Sequence, residues 1–105
     1  MTAWAVTRHP GALEWLAQHG LAAESAVAHL DPRDVKPGDI VFGTLPVNMA
    51  AEVCLRGARY FHLSLRIPFE WRGKELSREQ MEKAEAALRE YSIESRDGCQ
   101  IAKRG

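Results

Sequence analysis

Short apolar runs alternate with helix-like segments along this chain, and that alternation limits the possible folds more than any other feature. Runs at residues 2–7, 25–30, 39–43 and 59–66 have the length and composition of β-strands. Helical spacing follows the first, third and fourth runs. The order β-α-β-β-α-β-α predicts an α/β sheet that is mostly parallel, with helices on both faces. A length of 105 residues predicts one domain over residues 1–105.

Proline, glycine and capping residues mark the ends of the predicted helices. Pro10 suits the first turn of the first helix, and Gly20 fits its end. Pro46 introduces the second helix, which runs to about residue 56 before Gly57. Ser77 and Gln80 form a capping-box signature at the start of a third helix. The apolar edge of that third helix is predicted to consist of Met81, Ala84, Leu88 and Tyr91.

Two connections affect the predicted topology. The link between the second and third strands, DPRDVKPGD, has Asp31 as a cap and Pro32 as the opening of one helical turn. About eight residues can just traverse a short strand, so a parallel crossover competes with a hairpin. We prefer the parallel arrangement because it gives the strand-to-helix loops one common edge. In the tail, Asp97-Gly98 predicts a C-terminal β-hairpin over residues 92–104.

Charge and motif content exclude several classes of protein. Fourteen basic residues balance fourteen acidic ones, so no global field attracts long nucleic acid. No apolar run approaches the roughly 20 residues that span a bilayer, and no basic region precedes an apolar signal core. Cys54 and Cys99 are far apart, and the four histidines lack metal-ligand spacing. The sequence therefore predicts a cytoplasmic protein without a metal, a dinucleotide cofactor or a membrane partner.

Two similar strand-to-helix turns carry the candidate chemistry: Thr7-Arg8-His9-Pro10 and Gly43-Thr44-Leu45-Pro46. The first N–H groups of a helix lack internal partners and lie at the positive end of the helix dipole, so both turns can hold anions. In an open α/β sheet, ligands bind beyond the carboxyl ends of the strands, where the strand order reverses. The first and third strands would flank that point, which predicts a shared anion pocket.

Arg8 and His9 are the leading candidates in these turns because neither is needed for capping. Together they offer a fixed cation and a group that titrates near neutral pH. Gly11 and Gly43 would permit close backbone approach to a phosphodiester. Asn48 could bind a ribose or base, and a solvated helix residue is the equal alternative. For Thr44, helix capping alone is the competing explanation.

Other polar and aromatic residues are weaker candidates. His29 and His62 lie within apolar strands. Histidines in such strands are more often hydrogen-bonded within the core or line a cleft than take part in catalysis. Ser64 has no nucleophile-elbow context. Phe69 and Trp71 could stack a base or seal a subunit interface.

Three stretches resemble a family of small CRISPR-associated proteins that accompany type III systems: TRHPGALEW, VAHLDP and GDIVFGTLPVNMAAEVCLRGARYFHLSL. The match covers about residues 3–70, and the long run from residue 38 is its most specific part. The resemblance implies a minimal relative of the CRISPR-associated Rossmann (CARF) fold that acts as a homodimer. It also implies a ring nuclease, which binds cyclic oligoadenylate messengers, chiefly the tetra-adenylate, and linearises them.

The resemblance further implies a mechanism without a metal or cofactor, in which a ribose 2′-hydroxyl attacks its adjacent phosphate and leaves a 2′,3′-cyclic phosphate. Arg8 would contact the scissile phosphate, and His9 would transfer a proton or stabilise charge. The ring pocket would be shaped by Thr7, Gly11, Gly43, Thr44 and Asn48. Two alternatives stay open: a protein that sequesters the messenger without cutting it, and an adaptor in which Arg8 and His9 are idle.

Overall fold

A computed structural model describes residues 1–21 and 23–96, and a five-stranded sheet lies at the centre of this part of the chain. The strand order is β2-β1-β3-β4-β5. Strands β1 to β4 are parallel to one another, and β5 is antiparallel to β4. The strands span Ala3–Val6 (β1), Ser25–Val27 (β2), Ile40–Gly43 (β3), Arg59–Ser64 (β4) and Ala87–Tyr91 (β5). The predicted α/β class is confirmed, with a mostly parallel, Rossmann-like sheet.

The direction of the third strand is also as preferred from the sequence. Strand β1 pairs in parallel with β2 on one side and with β3 on the other, so β2 and β3 run the same way without touching. The alternative prediction of a hairpin between them is therefore wrong. Their connection contains a 3₁₀ turn at Pro32–Asp34, capped by Asp31, whose side chain accepts a hydrogen bond from the Arg33 N–H at 3.0 Å.

Helices cover both faces of the sheet, as predicted. They are α1 (Pro10–Gln18), α2 (Val47–Leu55) and α3 (Arg78–Lys83). Neighbouring residues on β3 point to opposite faces, so Val41 packs beneath α2 while Phe42 packs beneath α1 and α3. The helix side chains that fill these two layers are Ala50 and Val53 from α2, Ala12, Trp15 and Leu16 from α1, and Met81 from α3.

The third helix is shorter than predicted, and the prediction that it continues to Tyr91 is wrong. It ends at Lys83, and Glu85 has a positive φ of 55° that turns the chain out of the helix. Residues Ala87–Tyr91 then form β5, with Leu88 opposite Leu63 of β4. Without β5, β4 would expose a row of unpaired backbone N–H and C=O groups. The need to pair these groups outweighs the preference for a longer helix that the spacing of the apolar side chains indicates.

The predicted C-terminal hairpin falls mostly outside the described residues. Residues 92–96 belong to no strand, and residues 97–104 are not among those described. Among the helices of residues 1–21 and 23–96, none has the length and apolar character needed to cross a membrane.

Candidate functional site

A cleft of about 550 Å³ opens at the carboxyl edge of the parallel strands. It lies where the strand order reverses between β1 and β3, at the predicted position. Its volume is within the roughly 300–1,000 Å³ typical of small-molecule sites. Its polar lining consists of Thr7, Arg8, His9, Thr44, His62 and Ser64.

Among the described residues that line this first cleft there is no carboxylate, although the chain has fourteen acidic residues. Arg8 is exposed, and within the described residues it forms no ion pair. Four other arginines in the same part of the chain each pair with a carboxylate, namely Arg33, Arg56, Arg59 and Arg66. The cleft therefore offers a fixed positive charge that forms no ion pair with a carboxylate of residues 1–21 and 23–96.

The turn before α1 is held by hydrogen bonds within the protein. The Thr7 side-chain oxygen accepts from the His9 N–H at 3.1 Å, and the Gly11 N–H donates to the Leu76 carbonyl at 3.0 Å. Pro10 has no N–H to offer. The backbone donors expected from the sequence to hold an anion at this helix end are therefore already engaged. An anion here would be bound through side chains, chiefly Arg8 and His9.

His9 is fixed as a hydrogen-bond donor. Its Nδ1 accepts from the Leu76 N–H at 3.1 Å, so the proton of the neutral ring is on Nε2. Burial lowers the pKa of His9, the nearby Arg8 charge lowers it further, and Glu75 opposes both effects. The ring is consequently neutral at neutral pH, and its Nε2–H can donate to an anionic oxygen in the cleft.

His62 lies in β4, two residues before its end and opposite Gly43, the last residue of β3. Its Nδ1 is 2.7 Å from the Tyr60 hydroxyl. The same hydroxyl accepts a hydrogen bond from the Leu45 N–H at 2.9 Å and lies 3.2 Å from the Gly43 carbonyl oxygen. The sequence ranked His62 below Arg8 and His9, but the structure brings all three to one cleft. The alternation of side chains along β4 predicts the face of the sheet on which His62 lies. The neighbours of His62 on the adjacent strands depend on the strand register, which is not visible in the sequence.

The two glycines of the predicted pocket are explained by packing. A side chain at Gly43, where φ is +150°, would overlap the Val6 carbonyl oxygen, so glycine allows β1 and β3 to approach at their ends. A side chain at Gly11 would overlap the backbone of Ser77, where α1 meets the start of α3. Gly11 faces α3, and neither glycine is among the residues that line the cleft.

Thr44 and Asn48 have different positions, although both follow β3. Thr44 lines the first cleft, and its hydroxyl donates to the Leu63 carbonyl at 2.9 Å. Asn48 instead lines a second cleft of about 560 Å³ between α2 and residues 92–95. The described residues that line that cleft include Glu52 and Glu94 and no basic side chain, so they disfavour an anion. The structure thus does not bring Asn48 to Arg8.

The remaining candidates are distributed over the surface and the core. Ser64 lines the first cleft, whereas His29 is exposed outside it. Phe69 is exposed, and Trp71 packs partly against the layer beneath α1. Across residues 1–21 and 23–96, no three His, Cys, Asp or Glu side chains are placed to share a metal ion.

Comparison with known proteins adds one finding. No curated protein matches the chain, and no solved structure matches it. Residues 4–94 match the model of a family described as "Putative CRISPR-associated protein (Cas_VVA1548)". This span includes every residue that lines the first cleft. The chain therefore belongs to this family of CRISPR-associated proteins.

Proposed function

We propose that this protein is a ring nuclease of a type III CRISPR system. It binds a cyclic oligoadenylate, chiefly the tetra-adenylate, and linearises it, which ends the signal that activates ancillary effectors. The observation that supports this proposal most is the composition of the first cleft: within the part of the chain that the structure describes, its lining has one arginine without an ion pair, two histidines, three hydroxyl side chains and no carboxylate. Membership of a CRISPR-associated family supports the biological setting.

The proposed reaction suits these side chains because it requires positioning and charge stabilisation more than a strong nucleophile. A ribose 2′-hydroxyl attacks the adjacent phosphorus, the 5′-oxygen leaves, and a 2′,3′-cyclic phosphate remains. Arg8 would contact the non-bridging phosphoryl oxygens, where negative charge accumulates. The Nε2–H of His9 would donate a hydrogen bond to the same group. Removing one such donor from an enzyme typically costs a factor of about 10²–10³ in rate.

The size of the cleft favours action as a homodimer. A ring of four nucleotides is larger than the small molecules that a cleft of about 550 Å³ encloses. A second copy, related by a two-fold axis, would cover the other half of a ring that has matching symmetry. The same proposal places the dimer in the cytoplasm, where it would meet the messenger.

A protein that sequesters the ring without cleaving it is the second candidate. The observation in its favour is the state of His9, because a ring nitrogen that accepts from the Leu76 N–H cannot also accept a proton from the substrate. Binding alone needs only the unpaired Arg8 and the hydrogen-bond donors around it.

One experiment separates these functions. Purified full-length protein is incubated with labelled cyclic tetra-adenylate in EDTA, and the products are separated by chromatography. Linear adenylates that end in a 2′,3′-cyclic phosphate support the nuclease, because this product forms by attack of the 2′-hydroxyl and not by attack of water. A retained but intact ring supports sequestration. Absence of binding refutes both candidates.

A further inference from the structure

We infer that His62 is the proton acceptor of the ring-opening step, and this inference rests on the proposed function. The argument begins at the Tyr60 hydroxyl, which has three polar neighbours at hydrogen-bond distance. These are the Leu45 N–H, the Gly43 carbonyl oxygen and Nδ1 of His62, at 2.9, 3.2 and 2.7 Å. Tyr60 is only 1% exposed, so these protein groups are its partners.

Counting protons fixes the state of the His62 ring. The tyrosine hydroxyl has one proton and two lone pairs. The Leu45 N–H can only donate to it, and the Gly43 carbonyl can only accept from it. If the hydroxyl proton went to His62, the hydroxyl and the Gly43 oxygen would face each other without a proton between them. All three contacts become hydrogen bonds only when the hydroxyl donates to Gly43 and Nδ1–H of His62 donates to the hydroxyl.

The hydroxyl keeps its proton in this arrangement because burial raises the pKa of Tyr60, although the hydrogen bond from the Leu45 N–H acts in the opposite direction. With its proton on Nδ1, neutral His62 carries a lone pair on Nε2. His9, in the same cleft, is fixed in the opposite state, with a lone pair on Nδ1 and a proton on Nε2. The cleft therefore holds one histidine set to donate and one set to accept.

The reaction step then balances without a further reactant. The proton of the attacking 2′-hydroxyl moves to Nε2 of His62, the bond from O2′ to phosphorus forms, and the bond from phosphorus to O5′ breaks. The departing O5′ takes up a proton from water in the open cleft, and the His62 imidazolium returns one proton to water. The Nδ1–H of that imidazolium remains bonded to the Tyr60 hydroxyl, so Tyr60 acts as a positioning residue.

Charged and titratable groups from two parts of the fold surround His62. From β5, Arg89 lies opposite in the strand register, and the Tyr91 ring meets the His62 ring edge-on at 6.0 Å. From the turn before α1, Arg8 and His9 line the same cleft.

The test compares three variants in single-turnover cleavage of cyclic tetra-adenylate over a range of pH. His62→Gln should slow cleavage by at least about 100-fold, the usual range for loss of a general base being about 10²–10⁴. It should bind the ring almost as tightly as the wild type, and the rise of rate with pH should disappear. Tyr60→Phe should slow cleavage by about tenfold and change the pH profile, because it removes only the positioning hydroxyl. His29→Gln, an exposed histidine outside the cleft, is the matched control and should cleave normally.

Nitrogen-15 NMR of the histidine rings supplies a readout that does not depend on activity. The wild type should show His62 with its proton on Nδ1 and His9 with its proton on Nε2. A proton on Nε2 of His62 overturns the inference even if the protein is an active nuclease. Cleavage by His62→Gln at the wild-type rate also overturns it and leaves the proposed function intact. Absence of cleavage by the wild type refutes the proposed function first, before any variant is compared.

Discussion

Replacement of Asp39 by asparagine should lower the free energy of unfolding by about 1–3 kcal/mol at neutral pH. Asp39 immediately precedes β3 and is only 3% exposed. Its Oδ1 accepts from the Thr2 N–H at 2.9 Å, and its Oδ2 accepts from the Lys36 N–H at 3.0 Å and the Trp4 indole N–H at 3.1 Å. The carboxylate thus joins the start of β1 to the bend that leads into β3.

The magnitude follows from the number of acceptors. Asparagine has one oxygen, which can replace either Oδ1 or Oδ2. If it replaces Oδ2, the bonds from Lys36 and Trp4 remain, and the amide NH₂ faces the Thr2 N–H. The opposite orientation loses two bonds. Even the better orientation leaves the Thr2 N–H and the facing amide NH₂ without an acceptor, and an unsatisfied buried donor costs about 1–3 kcal/mol, against a total stability of about 5–15 kcal/mol.

This loss should depend on pH in a defined direction. The hydrogen bond from the Lys36 N–H lowers the pKa of Asp39, burial opposes it, and the bonds from Thr2 and Trp4 lower it further. A carboxylate with a lowered folded-state pKa stabilises the protein fully above its unfolded pKa of about 3.9, and that contribution is lost as the pH falls through the folded pKa. The difference between Asp39→Asn and the wild type should therefore shrink below about pH 4.

Urea unfolding followed by tryptophan fluorescence measures this difference at pH 7 and at pH 3. Asp34→Asn is the matched control, because Asp34 is exposed in the nearby 3₁₀ turn. Ring cleavage by folded Asp39→Asn should equal that of the wild type, since Asp39 lies at the end of β3 opposite the cleft. Equal stability of the two variants, or a difference that is the same at both pH values, would refute the reasoning.

Three further predictions concern the turns and the cleft. Gly43→Ala should lower the free energy of unfolding, measured in urea, by about 2–5 kcal/mol because of backbone strain and overlap with β1. Gly20→Ala, at a position with a positive φ and open space, should lower it by about 1 kcal/mol. Equal losses in the two glycine variants would show that the overlap is unimportant. Ser77→Ala should cost about 1 kcal/mol, because it removes a capping box, and an unchanged thermal midpoint would contradict this. Arg8→Ala should slow ring cleavage by at least about tenfold, roughly 1.4 kcal/mol. Arg72→Ala, exposed outside the cleft, is its control; equal rates would remove Arg8 from the mechanism.

The sequence predicted those parts of the fold that depend on local signals. Pro10 and the capping box at Ser77 each mark a helix start because their effects act within one turn of the chain. The pairing of β1 with β3 at the switch point followed from the strand-helix order. The helical prediction for residues 87–91 is wrong because Leu88 and Tyr91 can also belong to a strand that pairs with β4. The hydrogen bonds that decide between the two are not local.

The candidate site shows the same limit at the level of single residues. A glycine that admits a phosphate and a glycine that admits a neighbouring backbone look identical in a sequence. Only the position of the absent side chain shows that Gly11 serves the contact with α3 and that Gly43 serves the contact with β1. Asn48 is close to Thr44 in sequence, but its position on α2 places it in the acidic second cleft. Closeness in the sequence therefore does not determine whether two residues near a helix start line the same cleft.

The two cleft histidines extend this argument from position to chemistry. Both are neutral imidazoles in the proposed mechanism, but their neighbours give them opposite roles. The Leu76 N–H makes His9 a donor, and the Tyr60 hydroxyl, itself oriented by the Gly43 carbonyl, makes His62 an acceptor. Leu76 is 67 residues from His9. The sequence therefore predicts the residue types near a phosphodiester, whereas the fold assigns which nitrogen of each ring carries the proton, and that assignment decides between binding a ring and opening it.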